Sequence, residues 1–536
     1  MRLFRPAAPP YDPEQWVKLP LAERGRLVCE GWALQGYGAP FGAYAFYALK
    51  AGLYAGGWLL FCRGIPLLGV LAFQKAILWS MLFEGLGLGA GSGPLTGRYL
   101  PPFAAFLHFL RPGTTKLPAI PGLPVLGGIR RTWLDVALYA ALVVALLRAL
   151  ASPELDAWTL APIAALVPLL GLVDRTTFLA LRAEHYWTTT LCFLFAGNWI
   201  AGAKAVQLAL WFFAGFSKLN HHFPSVVGVM TSNSPFTGLG PLRRWMYRRY
   251  PDDLRPSRLA EVMAHAGTAV ELLVPLILVW ASGGWPLIAG LALMIALHAF
   301  ITSNVPMGVP IEWNLMVVYG GFALFWAHPE VSVLDLGSAP LGAFLLVALA
   351  GVPLLGNLAP GRISFLLSMR YYAGNWAYGV WLFRGESYRK LDRLTKSSPW
   401  IADQLGRFYD RGTTMGIISR VMAFRMMHLH GRALPRLLPR AVERLQDYEY
   451  LDGEIVAGLV LGWNFGDGHL HREGLLRAVQ AQCAFEPGEL RCIFVEAQPL
   501  GGKALAYRIH DAATGLMESG EIPVAPLREV QPWMAA

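Results

Sequence analysis

Charged side chains are scarce in this sequence. Asp, Glu, Lys and Arg make up 15% of 536 residues, against roughly 25% in a soluble domain. With 55% hydrophobic residues and a mean hydropathy of +0.42, that scarcity excludes an ordinary soluble globule and points to an integral membrane protein. Cysteine is rare too, and five thiols in this length exclude a disulfide-dense secreted scaffold. Acids are fewer than bases, 35 against 45, for a formal net charge of +10. The basic excess is clustered, which suits membrane lipids with anionic head groups on the cytoplasmic face. No nucleic-acid module is present. Also missing are a Walker lysine loop, a dinucleotide G-x-G-x-x-G, an H-E-x-x-H and a G-x-S-x-G. The 12 histidines form none of the H-x-x-x-H and H-x-x-H-H clusters of a membrane di-iron oxygenase. Met1 to Lys18 lack an n-region, an h-region and a small-residue cleavage site, so no removable signal peptide is expected.

What is present is a series of long apolar runs. Ten have roughly the length a bilayer requires: residues 42–62, 65–88, 133–150, 157–173, 186–201, 203–219, 262–281, 285–303, 311–326 and 340–358. The expected fold is an all-α polytopic membrane protein of about ten transmembrane helices with a small C-terminal β-rich domain. Basic loops set the orientation. Residues 89–132 carry five Lys or Arg and no acid, and the loop after Lys218 carries Arg243, Arg244, Arg248, Arg249, Arg255 and Arg258. The turns at 151–157 and 327–340 carry Glu154, Asp156, Glu330 and Asp335 without a Lys or Arg. Ten spans starting from a cytoplasmic N-terminus place every basic segment and both termini on the cytoplasmic side of an inner membrane. Gly202-Ala203-Lys204 is either a tight turn between two spans or a kink in one.

Four segments follow from these patterns. Residues 1–38 form an interfacial segment with Trp16 and Trp32, and 39–359 form the helical domain. Within it, Phe103 to Leu110 is an interfacial or re-entrant piece. Residues 360–450 alternate arginines with aromatics (Arg370-Tyr371-Tyr372, Trp376, Trp381, Phe383-Arg384), the pattern of amphipathic helices on a membrane surface. Residues 451–536 read as the β-rich cytoplasmic domain, with strands at 480–485, 489–497, 504–510 and 516–522. A turn over Glu486 to Glu489 would set Cys483 opposite Cys492, as two reduced thiols or as a disulfide. Lys50, Lys75 and Glu84 are candidates for a buried ion pair. Gly52-x-x-x-Gly56 and Gly85-x-x-x-Gly89 are candidate close-packing surfaces.

Chemistry gathers around Trp211-Phe212-Phe213-Ala214-Gly215-Phe216-Ser217-Lys218-Leu219-Asn220-His221-His222, where an apolar aromatic helix runs into a lysine. An ionisable group at or within a bilayer is a functional candidate by default; the bland alternative is a lysine snorkelling to head groups. On the next span His265, Thr268 and Glu271 are spaced three apart, so they share one face of a helix. Glu271 is a possible partner for Lys218. His298, four residues before Thr302, is either a proton relay or a core histidine. His221 and His222 are weak candidates for metal ligation.

The segment Ala214-Gly215-Phe216-Ser217-Lys218-Leu219 resembles the signature of the HTTM (horizontally transferred transmembrane) superfamily, which includes the vitamin K-dependent γ-glutamyl carboxylases. Thr268 to Leu276, a glutamate before an apolar Pro-Leu, looks like the following helix of that family. His298 with Met307, Trp313 and Asn314 falls where the family places a histidine and another helix pair. The likeness covers residues 130–330. Over its whole length the chain also looks like a group of bacterial transmembrane proteins. The resemblance implies that Lys218 is the base that deprotonates a reduced quinone. Two departures bear on it. Ser217 stands where carboxylases carry a second lysine, and Asn220-His221-His222 replaces their acidic continuation. These set glutamyl carboxylation aside and leave a related use of a membrane base on a lipid or quinone-like substrate.

The expected catalytic residues are Lys218, His298 and Glu271, and the expected substrate-binding residues are Asn220, His221, His265, Thr268, Trp313 and Asn314. The alternatives are a non-catalytic lipid-binding or transport protein and a metal-dependent membrane oxidoreductase.

Overall fold

A computed structural model describes residues 4–89, 91, 96–101, 105–236, 241–306, 309–363, 370, 373–464 and 469–535. Phe103, Met307, Tyr371 and Tyr372 lie outside the described residues. The chain is 59% helical. Each expected apolar stretch contains a helix: Phe41–Phe61, Val70–Gly85, Trp133–Ala151, Ala157–Val173, Ala183–Phe195, Trp199–Phe216, Arg258–Trp280, Gly284–Thr302, Ile311–Gly320 and Ala339–Leu358. Five are long and apolar enough to cross a bilayer: Trp133–Ala151, Trp199–Phe216, Arg258–Trp280, Gly284–Thr302 and Ala339–Leu358. This is a multi-pass membrane protein, and the count of ten spans is not confirmed. The other helices fall short for physical reasons. Ala183–Phe195 has 13 residues and carries Glu184 and His185, and Val70–Gly85 has 16 with Lys75 and Glu84. Tyrosines, glycines and Lys50 lower the hydropathy of Phe41–Phe61.

The break expected at Gly202-Ala203-Lys204 sits at residues 196–198, where the Asn198 side chain accepts from the Ile200 amide and starts the Trp199–Phe216 helix. Lys204 lies inside that helix and donates to the carbonyls of His328 and Val331, at 2.8 and 2.6 Å. The 328–331 turn therefore marks one end of the helix, and Lys218 marks the other.

On the Lys218 end lies a five-stranded antiparallel sheet. A ribbon of β1 (Tyr247–Arg249) and β2 (Asp253–Pro256) precedes it. The sheet contains β3 (Tyr378–Arg384), β4 (Tyr448–Asp452), β5 (Leu490–Val495), β6 (Ala504–Asp511) and β7 (Gly515–Pro523), in the order β4-β3-β5-β6-β7. The three C-terminal strands match the sequence reading. The strand expected at 480–485 is instead the end of a helix, Glu473–Cys483. Leu475, Leu476, Val479 and Cys483 recur at helical spacing on its buried face. Cys483 and Cys492 are both free, and Cys492 lies between Trp381 and His510 in the sheet.

Residues 360–450 also differ from the surface helices expected of them. They supply β3 and β4 to the sheet and pack the Arg411–Met427 helix against Leu21–Gln35. Four of their arginines, Arg370, Arg420, Arg425 and Arg432, are buried. Arg425 donates to both carboxylate oxygens of Asp452, at 2.9 and 3.1 Å, and lies over Trp376 and Tyr378. Trp16 and Trp32, expected at an interface, are buried in this same core, with Trp32 packed on Phe424. In 89–132, Lys116 pairs with Asp135 and Arg131 with Asp174, all four buried. Glu84 pairs with Arg182, while Lys75 donates to the Phe61 carbonyl. Gly52 and Gly56 face open space within this chain, whereas Gly85 abuts Leu181.

Candidate functional site

The Trp199–Phe216 helix ends in a tight turn, with the Lys218 amide bonded to the Gly215 carbonyl at 3.0 Å. Gly215 faces the Arg258–Trp280 helix so closely that an added Cβ would lie 3.0 Å from Glu271 Cβ and 3.1 Å from the Leu272 nitrogen. This glycine therefore sets the helix separation that lets Lys218 Nζ reach Glu271 Oε2. Both side chains are buried, 8% and 4% exposed, and Lys218 Nζ lies 4.7 Å from the centre of the Phe223 ring.

Two cavities meet at this lysine, and both are lined by Lys218 and Phe223. The first, of about 190 Å³, is mostly apolar. Glu271, His298, Trp313 and Asn314 line it, as do Trp211 and, from the chain after the last long apolar helix, Trp376, Phe424 and His428. The second, of about 470 Å³, is lined by His221, His265, Thr268, Asn220, Arg248 and Arg432 among others. The stripe formed by His265, Thr268 and Glu271 thus runs from the second cavity into the first.

A hydrogen-bonded chain crosses the wall of the first cavity. Trp211 Nε1 donates to His298 Nε2 at 3.1 Å. His298 Nδ1 donates to Asn314 Oδ1 at 2.7 Å, and Asn314 Nδ2 donates to the Pro310 carbonyl at 2.8 Å. The amide orientation fixes the tautomer, because Asn314 can present only its oxygen to the ring. His298 is therefore neutral with both nitrogens engaged. Trp313 donates to His185 Nδ1 at 2.9 Å.

The other expected residues divide. Asn220 clasps the chain at 498–501. Its amide donates to Pro499 O at 3.2 Å and its carbonyl accepts from the Gly501 amide at 3.0 Å. Adjacent histidines point different ways. His221 is exposed, whereas His222 is buried and donates Nε2–H to the Ala373 carbonyl at 2.9 Å. They do not converge on one point, and among the described residues no group of three or more His, Cys, Asp or Glu is placed to hold a metal. Burial holds His222 well below the usual imidazole range, with His430 adding to it. The partial cover that His221 has in the second cavity lowers it as well, with Arg528 and His265 contributing.

Sequence reasoning missed His428. Its ring is held between Trp376 and Phe424, with centroids 4.8 and 4.7 Å away. Nδ1 donates to the Phe424 carbonyl at 2.6 Å, while Nε2 has no partner among the described residues. Burial pushes this imidazole down to about 3, so the cavity wall contains a neutral hydrogen-bond acceptor. Lys218, Glu271, His298, Trp313, Asn314 and the aromatic run around Trp211 carried a signal in the sequence, whereas the cover formed by Trp376, Phe424 and His428 carried none as part of a site.

Over residues 1–536 the chain matches a family described as transmembrane protein of unknown function (DUF3556). No curated protein and no solved structure matches it.

Proposed function

The chain belongs to that transmembrane family, and from this premise we propose that it is a membrane enzyme that draws a lipid or quinone-like molecule into the apolar cavity and acts on it with Lys218. The observation that carries this reading is an amine and a carboxylate paired in the wall of a cavity built otherwise mainly from apolar side chains. As an ion pair Lys218 is an acid, and it becomes a base when Glu271 takes its proton. Apolar surroundings ease that exchange, because desolvation penalises the two charges and not the neutral amine and acid. The neutral amine then accepts a proton from the substrate, and the Trp211–His298–Asn314 chain orients the molecule. The aromatic lining suits a quinone ring, which is the cofactor or substrate that the HTTM and carboxylase likeness implies. The same likeness gives Lys218 its role as base. The basic segments favour an inner membrane with both termini on the cytoplasmic side.

One observation favours a second reading, a lipid-binding or transport protein without chemistry. At rest Lys218 is ion-paired and both nitrogens of His298 are engaged, so neither stands ready as a base. A metal-dependent oxidoreductase has no comparable support. Lys218→Arg separates the first two, because arginine keeps the pairing and does not deprotonate. The expected result is that purified Lys218→Arg protein retains an unreacted lipid, seen by mass spectrometry, which the wild-type protein converts. Identical lipids in both proteins and identical lipid profiles in the expressing membranes would leave only the binding reading.

A further inference from the structure

The second cavity carries a charge that the first does not. Lys218 stands at its inner end, with Arg432 in its wall and Arg248 and Arg528 on exposed side chains; Glu261 and Glu529 are the acids that line it. Glu529 is partly engaged elsewhere, 3.8 Å from Arg255, and Lys218 is matched by Glu271 from the side of the first cavity. The arginines therefore leave this chamber with an excess of positive charge. Arg432 is the telling residue. It is 1% exposed and donates Nη1 to the carbonyls of Leu527 and Val530, at 3.2 and 3.1 Å. Its Nε and Nη2 have no partner among the described residues. A buried guanidinium with unused donors is expensive unless an anion completes it.

We propose that this chamber binds a phosphate group, and that the phosphate heads an amphiphile whose apolar part occupies the first cavity, the two meeting at Lys218 and Phe223. The inference rests on the lipid reading of the first cavity and names the class of its occupant. Guanidinium groups suit a phosphate because their planar donors meet two of its oxygens at once. The apolar cavity next to them removes the tail from water. A carboxylate or an uncharged hydroxyl would leave several of these donors unused.

The test uses the full-length protein in detergent micelles with three probes: dihexanoyl phosphatidate, dihexanoylglycerol and inorganic phosphate, with binding followed by tryptophan fluorescence and calorimetry. Phosphatidate is expected to bind about tenfold more tightly than the diacylglycerol. Arg248→Gln and Arg528→Gln alter exposed side chains, so the fold survives, and each is expected to weaken phosphatidate about threefold with no effect on diacylglycerol. Arg432→Gln is expected to cost about tenfold or more. Equal binding of phosphatidate and diacylglycerol, insensitive to all three changes, overturns the phosphate chamber and leaves the lipid cavity standing. Inorganic phosphate binding as tightly as phosphatidate, and weakened by Arg432→Gln, upholds the phosphate site and removes the lipid from it. Failure of all three probes to bind overturns both.

Discussion

Arg425 and Lys218 are both cations enclosed in the protein against carboxylates, yet they keep different company. Arg425, in the sheet-bearing part, forms a two-point contact with Asp452, has Glu454 at 3.5 Å and is covered by Trp376 and Tyr378. It lines neither cavity. Lys218, among the membrane helices, has one carboxylate, and empty space on two sides. A buried charge held at two points by its carboxylate and closed over by aromatic rings holds the fold together. A buried charge with a single partner and adjoining space is available to a ligand. What sets the second apart is the room beside it, since burial is common to both.

The sharpest way to break this contrast is to remove Arg425. Arg425→Leu leaves Asp452, 1% exposed, without its cation, and is expected to cost about 3–5 kcal/mol. The sheet region should become sensitive to protease at temperatures the wild type withstands; unchanged resistance would show that the pair is not structural. Lys218→Met is expected to cost about 3 kcal/mol by leaving Glu271 unpaired, and adding Glu271→Leu should restore most of it. Thermal unfolding in detergent measures this cycle. If the double variant is no more stable than the single one, the pair does not act as a unit. Gly215→Ala should cost about 2 kcal/mol by forcing two helices apart. It should also impair whatever the Lys218–Glu271 pair does more than an Ala substitution at the open Gly56.

The smallest effect at neutral pH concerns the histidines under the sheet. His428 and His430 are held down by burial to about 3 and about 4, below the ordinary 6.5. Below pH 6.5 the unfolded chain takes up protons that the folded chain refuses, so stability falls on acidification from 6.5 towards 4 and is unaffected above 7. At pH 5.5 His428→Gln should recover about 1 kcal/mol of this loss, read as a smaller drop in Tm between pH 7 and 5.5.

Legibility followed the range of the interactions. The stripe from His265 to Glu271 was readable as one face because helical spacing fixes it, and Glu271 was a candidate partner for Lys218 because a buried amine calls for a nearby carboxylate. Trp313 and Asn314 were placed beside His298 by the resemblance, and they line the same cavity. β3 was hidden. A strand in the middle of a sheet and buried on both faces shows no alternation, and its flanking arginines imitated a surface helix. His428 was unreadable for another reason, because its place in the wall depends on a segment made about 200 residues after Lys218 folding back over the cavity. Asn220 was expected at a substrate and serves mainly as a clasp, since an amide beside a lysine has the same sequence signature in either role.

That clasp has a consequence for how the protein is made. Asn220 holds Gln498 and Pro499, chain that leaves the ribosome some 278 residues later, and Gln498 also bonds Asn375 and His430. While the last strands are still being synthesised, Asn220 has no chain to clasp, and Arg528 and Glu529 have not joined the second cavity. The wall of the second cavity beside Lys218 is thus completed only after Arg528 and Glu529 have been made, so a copy truncated before them would lack it.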